Sequence, residues 1–357
     1  MSLLIILGVV LVLVIMYMIF RIGNLVSVMK GEEKPGGSAN QINAVLFLIF
    51  MIVSLTGFFW YSVSNIDRYH LPVASEHGVL TDNLFWITMT LTVAAFTVIS
   101  IVMFYFTFKY QYSEKRRASF YADNHKLELV WTLIPAAVMF LLVFRGLGVW
   151  SDITSPASKE AEVIELVGQQ FAWTARYPGA DKQLGKTDFR LIDAVNEFGM
   201  DLAGDPNSYD DFKSLELHLP KGKEVLLKIR AKDVLHSVFL PHFRVKMDAV
   251  PGMSTHFKFT PTKSTADMRA ETQNSNFNYE LACTEICGKG HFSMRLLVVV
   301  DEPADYEKWK ASQESWLKQN PDYKKYVPEK YREVAEIKAG FRPDNGTIPT
   351  VQAVSAN

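Results

Sequence analysis

The only two cysteines of the chain, Cys283 and Cys287, lie in the run Cys-Thr-Glu-Ile-Cys-Gly-Lys-Gly-His-Phe-Ser-Met, which also carries Glu285, His291 and Met294. Thiolate and thioether sulfur together with imidazole form a soft ligand set, which favours copper in electron transfer over calcium or magnesium. A pair of coppers needs a second imidazole. His236, in Asp-Val-Leu-His-Ser-Val-Phe-Leu-Pro, is the candidate, because it follows an alternating strand pattern and precedes a proline-marked turn. Three other readings compete at this point. Two cysteines outside the cytoplasm ordinarily form a disulfide. Cys-x3-Cys-x3-His is also a fragment of a zinc site with two cysteines and two histidines, although zinc has no need of Met294 and the spacing is not that of a zinc finger. A single copper is the third. His70, His77, His125, His218, His242 and His256 have no partner at metal spacing and read as surface or packing residues, with His242 the one rival ligand to His236.

Such a loop needs stiff elements on both sides. Leu215, Leu217 and Leu219, then Val225, Leu227 and Ile229, then Phe257 and Phe259 alternate with polar residues, and Leu296 to Val300 is a continuous apolar run. Turn residues at Pro220-Lys-Gly222, Pro251-Gly252 and Cys287-Gly288 break these runs. The pattern predicts an all-β sandwich or barrel in which the cysteine loop joins a strand over Tyr279 to Cys283 to one over Arg295 to Asp301. Rigid strands on either side limit reorganisation at a metal.

Before this region the chain is of another kind. Its 357 residues are 49% hydrophobic and 21% charged, an average that hides an apolar first part and an ordinary polar remainder. Leu3 to Phe20, Val45 to Val63, Phe85 to Phe108 and Leu129 to Trp150 are apolar runs of about 18 to 24 residues, enough to cross a membrane. Arg145 lies near the end of the last, where its stem can extend to the interface. The first run has no charged leader and no small-residue cleavage site, so it reads as a retained helix. Arg21 and Lys30 follow it, and Lys109, Lys115, Arg116, Arg117 and Lys126 separate the third and fourth runs, which puts both chain ends outside. A net charge of -1 carries no basic signature for nucleic acid. Gly179 to Ser214, with Asp201, Asp205, Asp210 and Asp211, reads as a solvated acidic loop or a lure for a basic cytochrome, and Pro261 to Asn278 as a second insertion. Tyr306 to Leu317 and Glu329 to Ala339 are helical in pattern, followed by a loose tail to Asn357.

Taken with Glu128-Leu-Val-Trp131-Thr-Leu-Ile-Pro135, Asp233-Val-Leu-His236-Ser and Lys246-Met-Asp248-Ala-Val-Pro-Gly252, the cysteine loop resembles that of cytochrome c oxidase subunit II, over about residues 80 to 310. The resemblance implies a hairpin of two membrane helices followed by an all-β Greek-key cupredoxin-like domain, so with four apolar runs read as membrane helices the first two depart from the family. Residues 1–80 would be an extra helix pair with an outer loop, 81–150 the usual hairpin, 151–304 the copper domain and 305–357 a helical extension and tail. It further implies a dinuclear copper (CuA) centre bridged by Cys283 and Cys287, with His236 and a weak Met294 on one copper and His291 and the Glu285 carbonyl on the other. The Glu285 side chain would hold magnesium at the junction with subunit I, and Glu128 would sit at the inner mouth of a proton path. Electrons would come from a c-type cytochrome and pass to haem in subunit I, where oxygen is reduced and protons are pumped. The setting would be a bacterial-type inner membrane, with the copper domain on the periplasmic face.

The family places Gln-Trp-x-Trp where this chain has Gln170-Phe171-Ala172-Trp173, so Phe171 with Trp173 would mark electron entry. That departure and the extra helices suggest a donor tethered in a supercomplex. No Cys-x-x-Cys-His occurs, so a fused haem c domain is not expected and the donor would be a separate protein. Two other classes are weighed. A quinol-oxidase subunit would lack the ligands, and a copper-delivery or structural membrane protein would bind copper without relaying electrons.

Overall fold

The computed structural model describes residues 2–31, 38–113 and 115–343. Contacts divide it into two compact units, one of residues up to His70 with Trp86–Val138, the other of Leu71–Phe85 with the chain from Met139 onward.

Four long helices carry the apolar runs: α1 (Ser2–Met29), α2 (Ser38–Ser64), α4 (Glu76–Lys109) and α5 (His125–Thr154), with the short α3 (Ile66–Tyr69) between the middle two. All four are long and apolar enough to cross a membrane, and almost none of their surface is buried within the chain. That surface needs lipid or other subunits to cover it, and the molecule is a membrane protein. Within the first unit, Phe47 and Phe50 of α2 pack on Phe104 of α4, and Phe58 packs on Phe96. Pro135 lies inside α5, a placement membrane helices tolerate.

The second unit is a two-sheet sandwich. Its strands are β1 (Glu162–Gln169), β2 (Ala172–Tyr177), β3 (Phe212–Ser214), β4 (Glu216–Pro220), β5 (Val225–Ala231), β6 (His236–Leu240), β7 (Val245–Ala249), β8 (Thr255–Phe259), β9 (Tyr279–Cys283) and β10 (Arg295–Asp301). One sheet runs β3-β2-β1-β5-β8 and the other β4-β10-β9-β6-β7. The pairs β1 with β5 and β4 with β10 are parallel, so the chain crosses between sheets as a Greek-key cupredoxin-like fold requires. Inward residues of both sheets, including Leu217, Leu219, Val225, Leu227, Ile229, Phe257, Leu281, Leu296 and Val298, form one core. Leu215 departs from the alternation. It lies in the bend between β3 and β4 and is 67% exposed.

The two insertions are structured. Thr265–Glu271 forms helix α6, started by a capping box in which Ser264 and Asp267 satisfy each other's backbone N–H groups. The acidic stretch is not a solvated loop: Asp205, Asp210 and Asp211 are buried. Asp211 accepts from Arg176 at 2.7 Å and from the Gly185 N–H at 3.0 Å, and Asp205 and Asp201 accept backbone N–H groups of the turns around them. The reason lies beyond Asp301. Helices α7 (Pro303–Ala311), α8 (Trp316–Gln319) and α9 (Arg332–Lys338) fold back, and Trp316, Leu317, Val327, Ala335 and Ala339 close a second core with Phe198, Met200, Leu202 and Tyr209 of the insertion. The tail beyond Pro343 lies outside the described residues.

Trp316 is 2% exposed and meets Tyr323 edge-on at 4.9 Å. Trp316→Ala should cost the second core about 3–5 kcal/mol. Hydrogen exchange should then quicken across 198–209 and leave the β6, β9 and β10 amides protected. Unchanged exchange in 198–209 would show that the C-terminal helices do not brace the insertion.

Candidate metal centre

His236 opens β6, and Val238 two residues on pairs with Cys283 at the end of β9. The cysteine loop leaves β9 and returns into β10, and its ends are tied by the Cys283 N–H donating to the Met294 carbonyl at 3.0 Å. A 3-10 turn over His291–Ser293 completes it. Ligands 47 residues apart in sequence thus meet because β6 and β9 are neighbours.

The two thiols are free, with Sγ atoms 3.9 Å apart, beyond the roughly 2.05 Å of a disulfide. Cys283 Sγ lies 3.8 Å from His236 Nδ1 and 3.3 Å from the Glu285 carbonyl oxygen. Cys287 Sγ lies 3.7 Å from His291 Nδ1 and 3.8 Å from Met294 Sδ. His236, Cys283, Cys287 and Met294 are buried, His291 is partly exposed and Glu285 is exposed. All six residues picked from the sequence are therefore in one place.

The surroundings suit a metal. His236 Nε2 donates to Asp233 Oδ1 at 2.8 Å, which leaves the Nδ1 lone pair facing Cys283. Burial works against a charged Asp233, yet the Gln170 N–H, His236 and the Val234 N–H hold its carboxyl below the usual range. Burial, with the Cys283 thiol beside it, pushes the Cys287 thiol up to about 11. A soft cation would supply the charge that lets the Cys287 proton go. The ligand set thus fits copper.

Sequence reasoning missed two supporting roles. Gln170 donates through Nε2 to the Cys287 carbonyl at 2.6 Å and through its backbone to Asp233 at 2.7 Å, joining the β1–β2 turn to both ligand segments. Gly168 is the other: a Cβ there would lie 2.8 Å from the Trp173 ring and 3.1 Å from His236. An Asp three residues before a ligand histidine was the one available signal.

Phe171 and Trp173 separate. Phe171 is 39% exposed and lies over Gly288 and Gly290, where an added Cβ on Gly290 would meet its ring at 2.5 Å. Trp173 is 1% exposed and sits edge-on to the His236 ring at 5.7 Å, so it is no part of a surface. Glu128 is remote from the cluster in sequence and lies in the first turn of α5. Asn124 caps that helix through the Leu127 N–H, and Glu128 accepts the Asn124 N–H at 3.4 Å beside His125. His242 is not in the cluster; its Nδ1 meets the Pro72 carbonyl and its ring packs between Phe277 and Tyr279.

A cupredoxin-like sandwich that holds a soft-metal ligand cluster and follows membrane helices defines a membrane-anchored electron-transfer subunit. The family described as cytochrome c oxidase subunit II matches twice, its transmembrane domain over residues 71–149 and its periplasmic domain over 162–301. The alternative cytochrome c oxidase subunit 2 of Bradyrhizobium diazoefficiens is 35% identical over 252 residues, 69% of this chain and 84% of that protein. Cytochrome c oxidase subunit 2 of Thermostichus vulcanus is 32% identical over 270 residues, 66% of this chain and 76% of that protein. Among solved structures, the periplasmic domain of subunit II of cytochrome oxidase from Bradyrhizobium japonicum is 22% identical over 44% of this chain and 96% of that one, with a TM-score of 0.29. The chain belongs to the cytochrome c oxidase subunit II family. It is the electron-entry subunit of an oxidoreductase that works with other oxidase subunits, and its copper domain is periplasmic.

Proposed function

We propose that His236, Cys283, Cys287, His291, Met294 and the Glu285 carbonyl hold a dinuclear copper centre, through which this subunit takes single electrons from a c-type cytochrome for haem in subunit I. The observation that carries the reading is that the two imidazoles are divided between the two thiols; the neighbours of each thiol are not the expected pairs His236 with Met294 and His291 with the Glu285 carbonyl, since a bridging thiolate would lie beside ligands of both ions. Cys283 faces His236 Nδ1 and the Glu285 carbonyl, whereas Cys287 faces His291 Nδ1 and Met294 Sδ. The atoms of His236, Cys283 and Cys287 lie within 4.8 Å of one another, and His291 stands outside that group. One tetrahedral zinc would need all four equally close, so the division favours two ions.

A copper pair bound there would take up and release one electron at a time. The chain's own residues prepare the place: Asp233 fixes the His236 ring, Gln170 ties down the Cys287 carbonyl, and buried Met294 and Trp173 exclude water. The exposed Glu285 side chain is suited to magnesium at the subunit I junction, since a carboxylate matches a hard cation. The cationic loop between α4 and α5 supports an inner-membrane orientation with the sandwich outside.

Oxidised, copper-loaded full-length chain should contain two coppers sharing one unpaired electron. Cys283→Ser or Cys287→Ser should abolish that signal, and Met294→Leu should mainly shift the potential, because a thioether is a weak ligand. One copper or one zinc per chain, without a delocalised spin signal, would overturn the assignment.

Glu128 is proposed as the inner mouth of a proton path, as ionisable groups at a membrane helix are functional candidates. Its capping contact is separable from that role. Glu128→Gln keeps an acceptor for the Asn124 N–H and should still slow oxygen consumption about tenfold or more with copper intact. Unchanged consumption would leave Glu128 a helix cap.

Electron arrival is proposed to rest on apolar contact with a donor tethered in a supercomplex. Ile286 and Phe292 on the ligand loop, whose glycines Phe171 covers, are 84% and 81% exposed, while Asp205, Asp210 and Asp211 are buried and offer no acidic landing surface. Activity of the intact complex should therefore change less than about twofold between low salt and physiological ionic strength. A steep fall with salt, together with a need for added soluble cytochrome, would refute the tether.

A further inference from the structure

The outer face of the sheet containing β5 and β8 carries a cationic cleft that the copper site does not use. It is an open cleft of about 690 Å³, bounded by Thr154–Ala157 after α5, by Leu184–Thr187 of the insertion, and by side chains of β1, β2, β5 and β8. Arg176, Lys186, Lys228 and Arg230 line it against one lining carboxylate, Glu165, in a chain whose net charge is -1.

These four cations are not equivalent. Arg176 is consumed internally, bonded to Glu165 at 2.6 Å and Asp211 at 2.7 Å, and is 3% exposed at its side chain. Arg230 bonds Glu165 at 2.6 Å and the Phe198 carbonyl at 3.0 Å. Lys186 and Lys228 are exposed and have no side-chain hydrogen bond or ion pair among the described residues. Two unneutralised ammonium groups therefore stand over a floor fixed by a buried charge network. Leu184, Leu226, Pro156 and Ala157 give the same cleft an apolar wall.

Its place follows from α5. Thirty residues at about 1.5 Å each reach about 45 Å, the full thickness of a bilayer with its headgroups. Trp150, 50% exposed and one turn before Thr154, suits the interfacial belt. The sheet is held directly at this exit: His256 meets the Thr154 carbonyl at 3.1 Å, Lys258 donates to the Pro156 carbonyl at 3.4 Å, and the Ser158 N–H donates to Glu224 at 2.6 Å. The cleft thus opens where the outer-leaflet headgroups lie.

We propose that this cleft binds the phosphate of an anionic phospholipid of the outer leaflet, with Lys186 and Lys228 as its charge partners and the apolar wall against the glycerol end. Lysines near a membrane surface attract anionic headgroups, and an apolar wall beside them has no use for a free ion. The acidic insertion then has a purpose, since it carries Lys186 to the site.

The test uses full-length chain taken from vesicles of mixed phosphatidylcholine and phosphatidylglycerol and examined by native mass spectrometry. Wild type should retain phosphatidylglycerol in preference to phosphatidylcholine, and the Lys186→Glu/Lys228→Glu variant should retain about tenfold less or lower still. Lys186→Gln/Lys228→Gln, which removes charge without reversing it, should move the same way with an unchanged melting temperature. Lys330→Glu changes the net charge by as much as the double Gln variant does and should bind as wild type. Equal retention in both double variants, an equal loss in the control, or full displacement by millimolar inorganic phosphate would each overturn the proposal, the last by making the cleft a free-anion site.

Discussion

Two thiols, two imidazoles and a thioether have to be gathered in a nearly dry space and prevented from drifting, and much of the sandwich answers that constraint. Buried polar groups are costly unless they are bonded. Here the His236 ring is bonded to Asp233, Asp233 to the Gln170 backbone, and the Gln170 side chain to the Cys287 carbonyl. That closed circuit ties the β1–β2 turn, the approach to β6 and the cysteine loop into one frame. The loop closes on itself at its base, where the Cys283 N–H meets the Met294 carbonyl. A metal that changes charge by one electron would meet a frame that has little freedom to respond, which is the condition for fast transfer.

A second frame stands behind the first. Arg176, Glu165, Arg230 and Asp211 form a largely buried set of two arginines and two carboxyls on the outward side of β1, β2 and β5, in which burial pushes the Asp211 carboxyl up to about 8 against the pull of Arg176. Such a set adds little net stability, since desolvation offsets most of the attraction, but it penalises any arrangement that leaves one member unpaired. Its membership joins β1, β2, β5 and the insertion, and the C-terminal helices seal the insertion from behind through the Trp316 N–H to the Asp211 carbonyl at 2.7 Å. The extension therefore works as a lid on the charge network and is not an appendage.

What the sequence made legible followed its range of interaction. The ligand loop is local, and its flanking strands coincide with the expected Tyr279 to Cys283 and Arg295 to Asp301. The apolar spans were equally plain, because lipid imposes its demand on every residue of a run. The acidic insertion was misread for the opposite reason. Asp211 finds Arg176 35 residues away, and Lys338 reaches Asp181 across 157 residues, distances at which composition carries no information. Leu215 failed on a smaller scale, since alternation continues on paper through a bend that ends the strand. Gln170 stands beside the aromatic pair in the sequence, and nothing in its residue type announces a bond to Cys287.

The unequal burial of the two ligand histidines has a consequence for partners. His236 is fully buried and Trp173 closes the space behind it, so the cluster cannot be reached from that side at contact distance. His291 is partly exposed, with Ile286 and Phe292 projecting from the same loop and Phe171 covering its glycines. A protein that exchanges electrons here must come close over that rim, because the opposite side is filled by the sandwich core. Apolar side chains at such a rim lose water on contact without the desolvation cost that charges carry, so a partner can seat closely and still leave. The buried histidine fixes the site, and the partly exposed one faces its exchange partners.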